Sequence, residues 1–157
     1  ELALLLLGEA WCAGATPNVA VYNSTMSALE KGRKWELAMT LLEEARQSGI
    51  SLDAISYGAA ISACEKAWQW ERALGLLEEA RGASVVLDLI AYNATLSACE
   101  KGSQWERALG LVAFLDQTGQ RQQGSESAKT ALLPDVISYN ATMSACEKGR
   151  QWEQALH

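Results

Sequence analysis

The chain is poor in the residues that most often carry chemistry. Its 157 residues include one His, at the last position, and four Cys, at Cys12, Cys64, Cys99 and Cys146. No two of these cysteines form a C-x-x-C pair, so the spacing fits neither a redox motif nor a four-ligand metal site. They read instead as small buried hydrophobes held reduced. Two prolines leave room for long uninterrupted helices. Positive charge is in short supply: 13 Lys and Arg stand against 19 Asp and Glu, a net charge of −6. A surface basic all round is thereby excluded, and any positive field must be concentrated in one place. The N-terminal apolar run Leu2 to Leu7 is too short to span a bilayer. It lacks a Met start and a basic leader and is flanked by Glu1 and Glu9, so it reads as a core helix of a longer protein, not a secretory signal. Phosphate-binding glycine loops, H-E-x-x-H and the nucleophile elbow are also absent. No catalytic residue, metal ligand or cofactor is expected.

The sequence does have an ordered composition, 49% hydrophobic and 20% charged, and a repeat. Four segments align, beginning Val21-Tyr22-Asn23-Ser24-Thr25, Ser56-Tyr57-Gly58-Ala59-Ala60, Ala91-Tyr92-Asn93-Ala94-Thr95 and Ser138-Tyr139-Asn140-Ala141-Thr142. Each is followed by a Trp-Glu pair, at Trp35, Trp70, Trp105 and Trp152. Both the Tyr and the Trp positions are spaced by 35, 35 and 47. The unit is therefore 35 residues long, with about 12 extra in the third copy.

Within a unit, Tyr92, Leu96 and Cys99 recur at i, i+4 and i+7, one face of a helix. Glu100 to Gln104 interrupts the apolar period, with Gly102 as its C-cap. Trp105, Ala108, Leu109, Val112 and Leu115 supply the stripe of a second helix, and Ala73, Leu74, Leu77 and Ala80 repeat it. Asp53, Asp88 and Asp135 precede the next first helix, where a carboxylate caps the N-terminus. β-branched residues are few, so strands are not expected. The fold class is all-α, an α-solenoid of helix-turn-helix repeats. Its expected divisions are 1–18 (second helix of a truncated repeat), 19–53, 54–88, 89–135 and 136–157 (truncated). The extra residues fall within 117–131, whose Gly, Ser and Gln content predicts a flexible loop. The four Tyr and the repeated Trp residues are expected to pack, while Trp68, unique to one unit, is expected near the surface. Neither end carries a polar cap, as an internal slice of a longer array would not.

Tetratricopeptide repeats have a period of 34 and a different signature. Here each unit has Tyr-Asn or Tyr-Gly near the start of helix one and Lys at its end. Glu-x-Ala-Leu or Glu-x-Ala-Met follows in helix two, with a terminal Pro-Asp or Leu-Asp. In these features the sequence resembles pentatricopeptide repeat proteins of the plain class, over nearly its whole length. The resemblance implies a right-handed superhelix that binds single-stranded RNA at roughly one base per repeat. In that family the residue after the helix-one Tyr and the last residue of the unit read a base edge. The pairs are Asn23 with Asp53, Gly58 with Asp88, and Asn93 with Asp135; Asn140 and Asn18 belong to incomplete pairs. The family's code gives Asn with Asp uracil first and cytosine second. Gly58 departs from it and leaves the second unit's base open.

The resemblance also makes Ala20, Ile55, Ile90 and Ile137 base-flanking residues, and Lys31, Lys66, Lys101 and Lys148 phosphate contacts. Glu43, Glu44, Glu78 and Glu79 are expected away from that face. By family habit the role is RNA processing, stability or translation in a chloroplast or mitochondrion, with single-stranded RNA as partner and no membrane. Two alternatives remain open. The array is a protein-interaction solenoid of tetratricopeptide type, or the repeated Glu-Lys is simply a solvated helix end with Lys matched to the dipole.

Overall fold

In the computed structural model, residues 19–122 and 132–150 are described. They form helices α1 (Val19–Lys31), α2 (Trp35–Gln47), α3 (Ala54–Lys66), α4 (Trp70–Gly82), α5 (Leu89–Lys101), α6 (Trp105–Gln122) and α7 (Val136–Lys148), with no strand among the described residues. The odd-numbered helices are the first helices of successive units. They pack on one another in an unbroken row, α1 on α3, α3 on α5 and α5 on α7. Each second helix packs on its own first helix and on the next one, and the second helices form no comparable row. In a curved stack the more closely spaced row lies inside, which puts the first helices on the concave side of an α-solenoid. The expected truncated units at 1–18 and 151–157 lie outside the described residues.

The helix starts follow from the sequence. Asp53, Asp88 and Asp135 are N-caps whose carboxylates accept the backbone N–H of Ser56, Ala91 and Ser138. The second helices have no side-chain cap at Lys34 or Gln69, but Glu36, Glu71 and Glu106 in their first turns complement the dipole.

Gly102 is the C-cap of α5, as expected. Gly102 follows α5 with φ −84°, and the left-handed residue is the next one, Ser103, at φ 54°. Arg33, Trp68 and Arg150 repeat it at 53°, 64° and 57°. The glycine answers a close approach instead. A Cβ on Gly102 would run into the Trp70 ring, and one on Gly149 into the Trp105 ring. Trp70 and Trp105 thus each seat on the turn of the unit that follows.

The core is the repeated stripe. Tyr22, Met26 and Leu29 of α1 recur as Tyr57, Ile61 and Cys64, then as Tyr92, Leu96 and Cys99, all buried. Tyr139 is half exposed, with its hydroxyl directed at Asp116. On the second helices, Leu76 and Leu111 are buried while Leu74 and Leu109 are only partly so, which rotates the stripe slightly from its expected position. Trp35, Trp70 and Trp105 are half-buried against the core, and Trp68 is exposed as expected. Cys64, Cys99 and Cys146 are free and buried. Burial pushes the Cys64 and Cys99 thiols up to about 11, against the opposing charges of Arg72 and Arg107. These thiols therefore stay protonated and unreactive at neutral pH. Cys12 and Trp152 lie outside the described residues.

The expected loop over 117–131 needs correcting. Helix α6 has 18 residues against 13 in α2 and α4, so 117–122 are helical. Gln and Arg are good helix formers, and no proline intervenes before Pro134. Gly119 also admits the Leu133 side chain, which would collide with a Cβ there. The rest of the segment, 123–131, lies outside the described residues.

Candidate functional site

On a first helix, Ile90, Asn93, Ser97 and Glu100-Lys101 fall at i, i+3, i+7 and i+10/11, a single stripe. The second helices do not cover it. Ile55, Ile90 and Ile137 are 61%, 72% and 62% exposed, and Ala20 is exposed at the equivalent place. Leaving such apolar area in water is unfavourable, so a row of exposed Ile at unit spacing is a surface suited to flat apolar partners. Between adjacent stripes lie two grooves. One, of about 270 Å³, is lined among others by Glu30, Ile55, Gly58, Ser62, Asp88 and Ile90. The next, of about 350 Å³, is lined by Ser97, Glu100, Ile137, Asn140, Ala141 and Ser144.

Asn23 and Asp53 are brought together although 30 residues apart. The Asn23 amide donates to both Asp53 carboxylate oxygens at 3.0 and 3.2 Å. Asn93 and Asp135, 42 residues apart, repeat the contact at 3.2 and 3.3 Å. The insertion therefore leaves the pair intact. In both units the hydroxyl of the next first helix completes the network. Ser56 Oγ donates to Asn23 Oδ1 at 2.5 Å, and Ser138 Oγ to Asn93 Oδ1 at 2.6 Å. Burial opposes ionisation of Asp53, but hydrogen bonds from the Ser56 amide and Asn23 outweigh it and hold the carboxyl below its ordinary value. The Ser138 amide and Asn93 do the same for Asp135 against a weaker burial cost. Both are anions at neutral pH.

The second unit differs. Gly58 offers no side chain, and open space surrounds the place where its Cβ would be. Asp88 caps α5 through the Ala91 amide and is exposed. Asn140 is exposed, and the position expected to pair with it is not in the sequence; Asn18 lies outside the described residues.

Three of the four lysines are engaged across units. Lys66 Nζ meets Glu30 Oε1 at 2.7 Å, Lys101 pairs with Glu65, and Lys148 meets Glu100 at 2.9 Å. Ser97 and Ser144 hydroxyls donate to the same Glu65 and Glu100 carboxylates at 3.0 and 2.9 Å. Lys31 is exposed. The Glu-Lys dipeptide is thus an inter-repeat clasp, each Glu holding the Lys of the next unit, and not merely a solvated helix end. Burial of Glu100 is outweighed by the hydrogen bonds of Lys148 and Ser144 and by the charges of Lys148 and Lys101, so its pKa lies below the usual value. Of the late helix-two acids, Glu79 ties α4 to its neighbours, pairing with Arg46 and accepting the Tyr57 hydroxyl at 2.6 Å.

Sequence reasoning missed the two serines and the glutamate partners. The signal was present: Ser56 and Ser138 precede their Tyr at one place, and Glu precedes Lys in every unit. Among the described residues no three His, Cys, Asp or Glu converge on a metal-sized site. No helix among them is long and apolar enough to cross a membrane.

Residues 40–102 match the family described as pentatricopeptide repeat domain, and residues 20–50 match the PPR repeat. No curated protein sequence matches. Among solved structures, the chain is similar to the pentatricopeptide repeat protein PPR10 in complex with an 18-nt psaJ RNA element, with TM-score 0.70 and 25% identity over 96% of this chain. A cysteine-to-serine variant of PPR10 with the same RNA element matches equally well. PPR10 from maize matches with TM-score 0.64 and 23% identity over 98% of this chain, a likeness of fold. The chain spans 20–25% of the length of these structures.

Proposed function

The chain belongs to the pentatricopeptide repeat family, and from that premise we propose that it binds single-stranded RNA along its first-helix face, roughly one base per repeat. The observation that carries this reading is the Asn–Asp pair, set at 3.0–3.3 Å in two units on the first-helix row that also exposes Ile55, Ile90 and Ile137. A base entering between Ile55 and Ile90, or between Ile90 and Ile137, removes their apolar area from water. Its edge then meets the residue at the Asn or Gly position and the terminal Asp. The lysines lie further along the same stripe. An ammonium has three donors, so Lys66 and Lys148, each clasped by one carboxylate, keep two for a phosphate oxygen, and Lys101, which also donates to the Glu65 carbonyl, keeps one.

Asn23/Asp53 and Asn93/Asp135 each take uracil in this reading, and the Gly58/Asp88 unit is nearly indifferent, giving 5′-U-N-U. Stacking contributes roughly 1–3 kcal/mol per base, so three units supply about 3–9 kcal/mol before ordering costs. The affinity of the chain alone is then no better than about micromolar. The role is recognition rather than catalysis, in RNA processing, stability or translation within a chloroplast or mitochondrion, as family resemblance suggests.

A second reading, peptide binding in the tetratricopeptide manner, is favoured by one observation: the Glu clasps neutralise much of the lysine row. Fluorescence anisotropy of the full chain with labelled single-stranded RNA, duplex RNA and basic peptides separates the two. Binding to uracil-containing single strands over duplex is expected. Peptide binding without RNA binding would replace the first reading with the second.

A further inference from the structure

The two complete readers share a third member that belongs to neither position of the pair. An Asp carboxylate only accepts hydrogen bonds, so Asp53 requires the Nδ2 side of Asn23, which fixes the amide's orientation. Ser56 Oγ–H has two acceptors in reach, Asn23 Oδ1 at 2.5 Å and Asp53 Oδ1 at 3.0 Å, and the shorter contact holds the amide at its other end. Ser138 does the same for Asn93 at 2.6 Å. Both hydroxyls are fully buried, so their hydrogen bonds are made with little competition from water.

Held at both ends, the amide has one N–H left to present, beside the unused lone pairs of the Asp. A donor next to an acceptor matches the adjoining carbonyl oxygen and N3–H of uracil. The unit without an Asn supplies the control within the chain. Where Gly58 replaces Asn, Ala91 replaces Ser. The hydroxyl is absent where it would have no amide to hold.

We propose that Ser56 and Ser138 are positioning residues for base reading, each locking the Asn of the preceding repeat so that its free N–H faces the base. The reader is then a triad spread over two units, and a repeat's base choice depends on the third residue of its successor's first helix. This inference rests on the RNA-binding reading and adds to it a specificity determinant outside the pair.

The test compares the full chain with its Ser56→Ala and Gly58→Asn/Ala91→Ser variants. Alanine already occupies the equivalent buried place at Ala91, and the space at Gly58 is open, so all should fold. Binding is measured to short RNAs carrying each of the four bases opposite the altered unit. The wild-type preference for uracil opposite Asn23, about fivefold for one net hydrogen bond, should fall below about twofold in Ser56→Ala. Preference opposite Asn93 should be unchanged, which a general loss of structure would not give. Gly58→Asn/Ala91→Ser should install a uracil preference larger than Gly58→Asn alone.

A second readout needs no RNA: the Asn23 side-chain amide protons, followed by NMR. In the wild type they should be two resolved signals, the one bonded to Asp53 protected from solvent exchange, and in Ser56→Ala that protection should be lost. If the wild type binds no RNA, the RNA reading fails and the amide signals alone decide the lock. Unchanged base preference in Ser56→Ala, or unchanged amide protection, overturns the lock and leaves the RNA reading standing.

Discussion

Reversing Lys31, Lys66, Lys101 and Lys148 to Glu together is expected to abolish RNA binding at physiological salt and to flatten the salt dependence of what binding persists at low salt. Each phosphate contact to a single strand contributes a slope of about 0.7 in log K against log salt, so four lost lysines should lower it by nearly 3. The clasps add a second effect. A Glu at 66 or 148 would face Glu30 or Glu100 where an ammonium now stands at 2.7 or 2.9 Å. Like charges at that distance repel, and the stack would loosen as well as lose its phosphate contacts. The side chains of these pairs are 16–45% exposed, so each pair contributes at most about 1 kcal/mol to stability. A matching set of Lys→Gln variants separates the causes, because Gln removes the charge without turning the clasp repulsive. If the slope falls in both sets, the lysines touch phosphate. An unchanged slope in both sets sinks that role, and a loss confined to the Glu set assigns the lysines to stacking alone.

Replacing Gly102 with Leu should destabilise the array by about 3 kcal/mol, the upper end of the overpacking range. The Trp70 ring occupies the place a side chain would take, and it is anchored in α4 and packed on the core. Repeats contact only their neighbours, so the loss is concentrated at the junction of the second and third units and should lower unfolding cooperativity. Gly75→Ala is the control: it lies within α4 with nothing near its would-be Cβ, and should stabilise by roughly 0.5–1 kcal/mol. Denaturant melts of both variants check this. A Gly102→Leu protein as stable as the wild type would mean that the Trp70 contact does not couple the repeats.

What was legible in the sequence had a period. The fourfold register of Tyr22, Tyr57, Tyr92 and Tyr139 places the first helices, and the Asp residues at 53, 88 and 135 cap them where expected. The apolar spacing located Ala73, Leu77 and Ala80 of the α4 core, but Leu76 is buried where Leu74 was expected. The illegible part consisted of contacts between units. Glu30 and Lys66 are 36 residues apart, and only the stacking of α1 on α3 makes them partners. Ser56 looks like one more small polar residue until Asn23 is seen beside it. Gly102 was legible as the C-cap of α5, but its steric constraint, the Trp70 ring, arrives from the preceding unit. Gln and Gly in 117–122 suggested a loop, yet helix propensity and the seat for Leu133 extend α6 through them.

The most direct measurement is the affinity of the full chain for single-stranded RNAs that differ only in the base opposite Asn93 and Asp135. This unit has its complete hydrogen-bonded network and carries the insertion, so it is the most demanding place for a one-base-per-repeat reading. Uracil should bind about fivefold more tightly than either purine, the worth of one net hydrogen bond, with cytosine between them. Equal affinity for all four bases there would contradict base reading by the Asn–Asp pair.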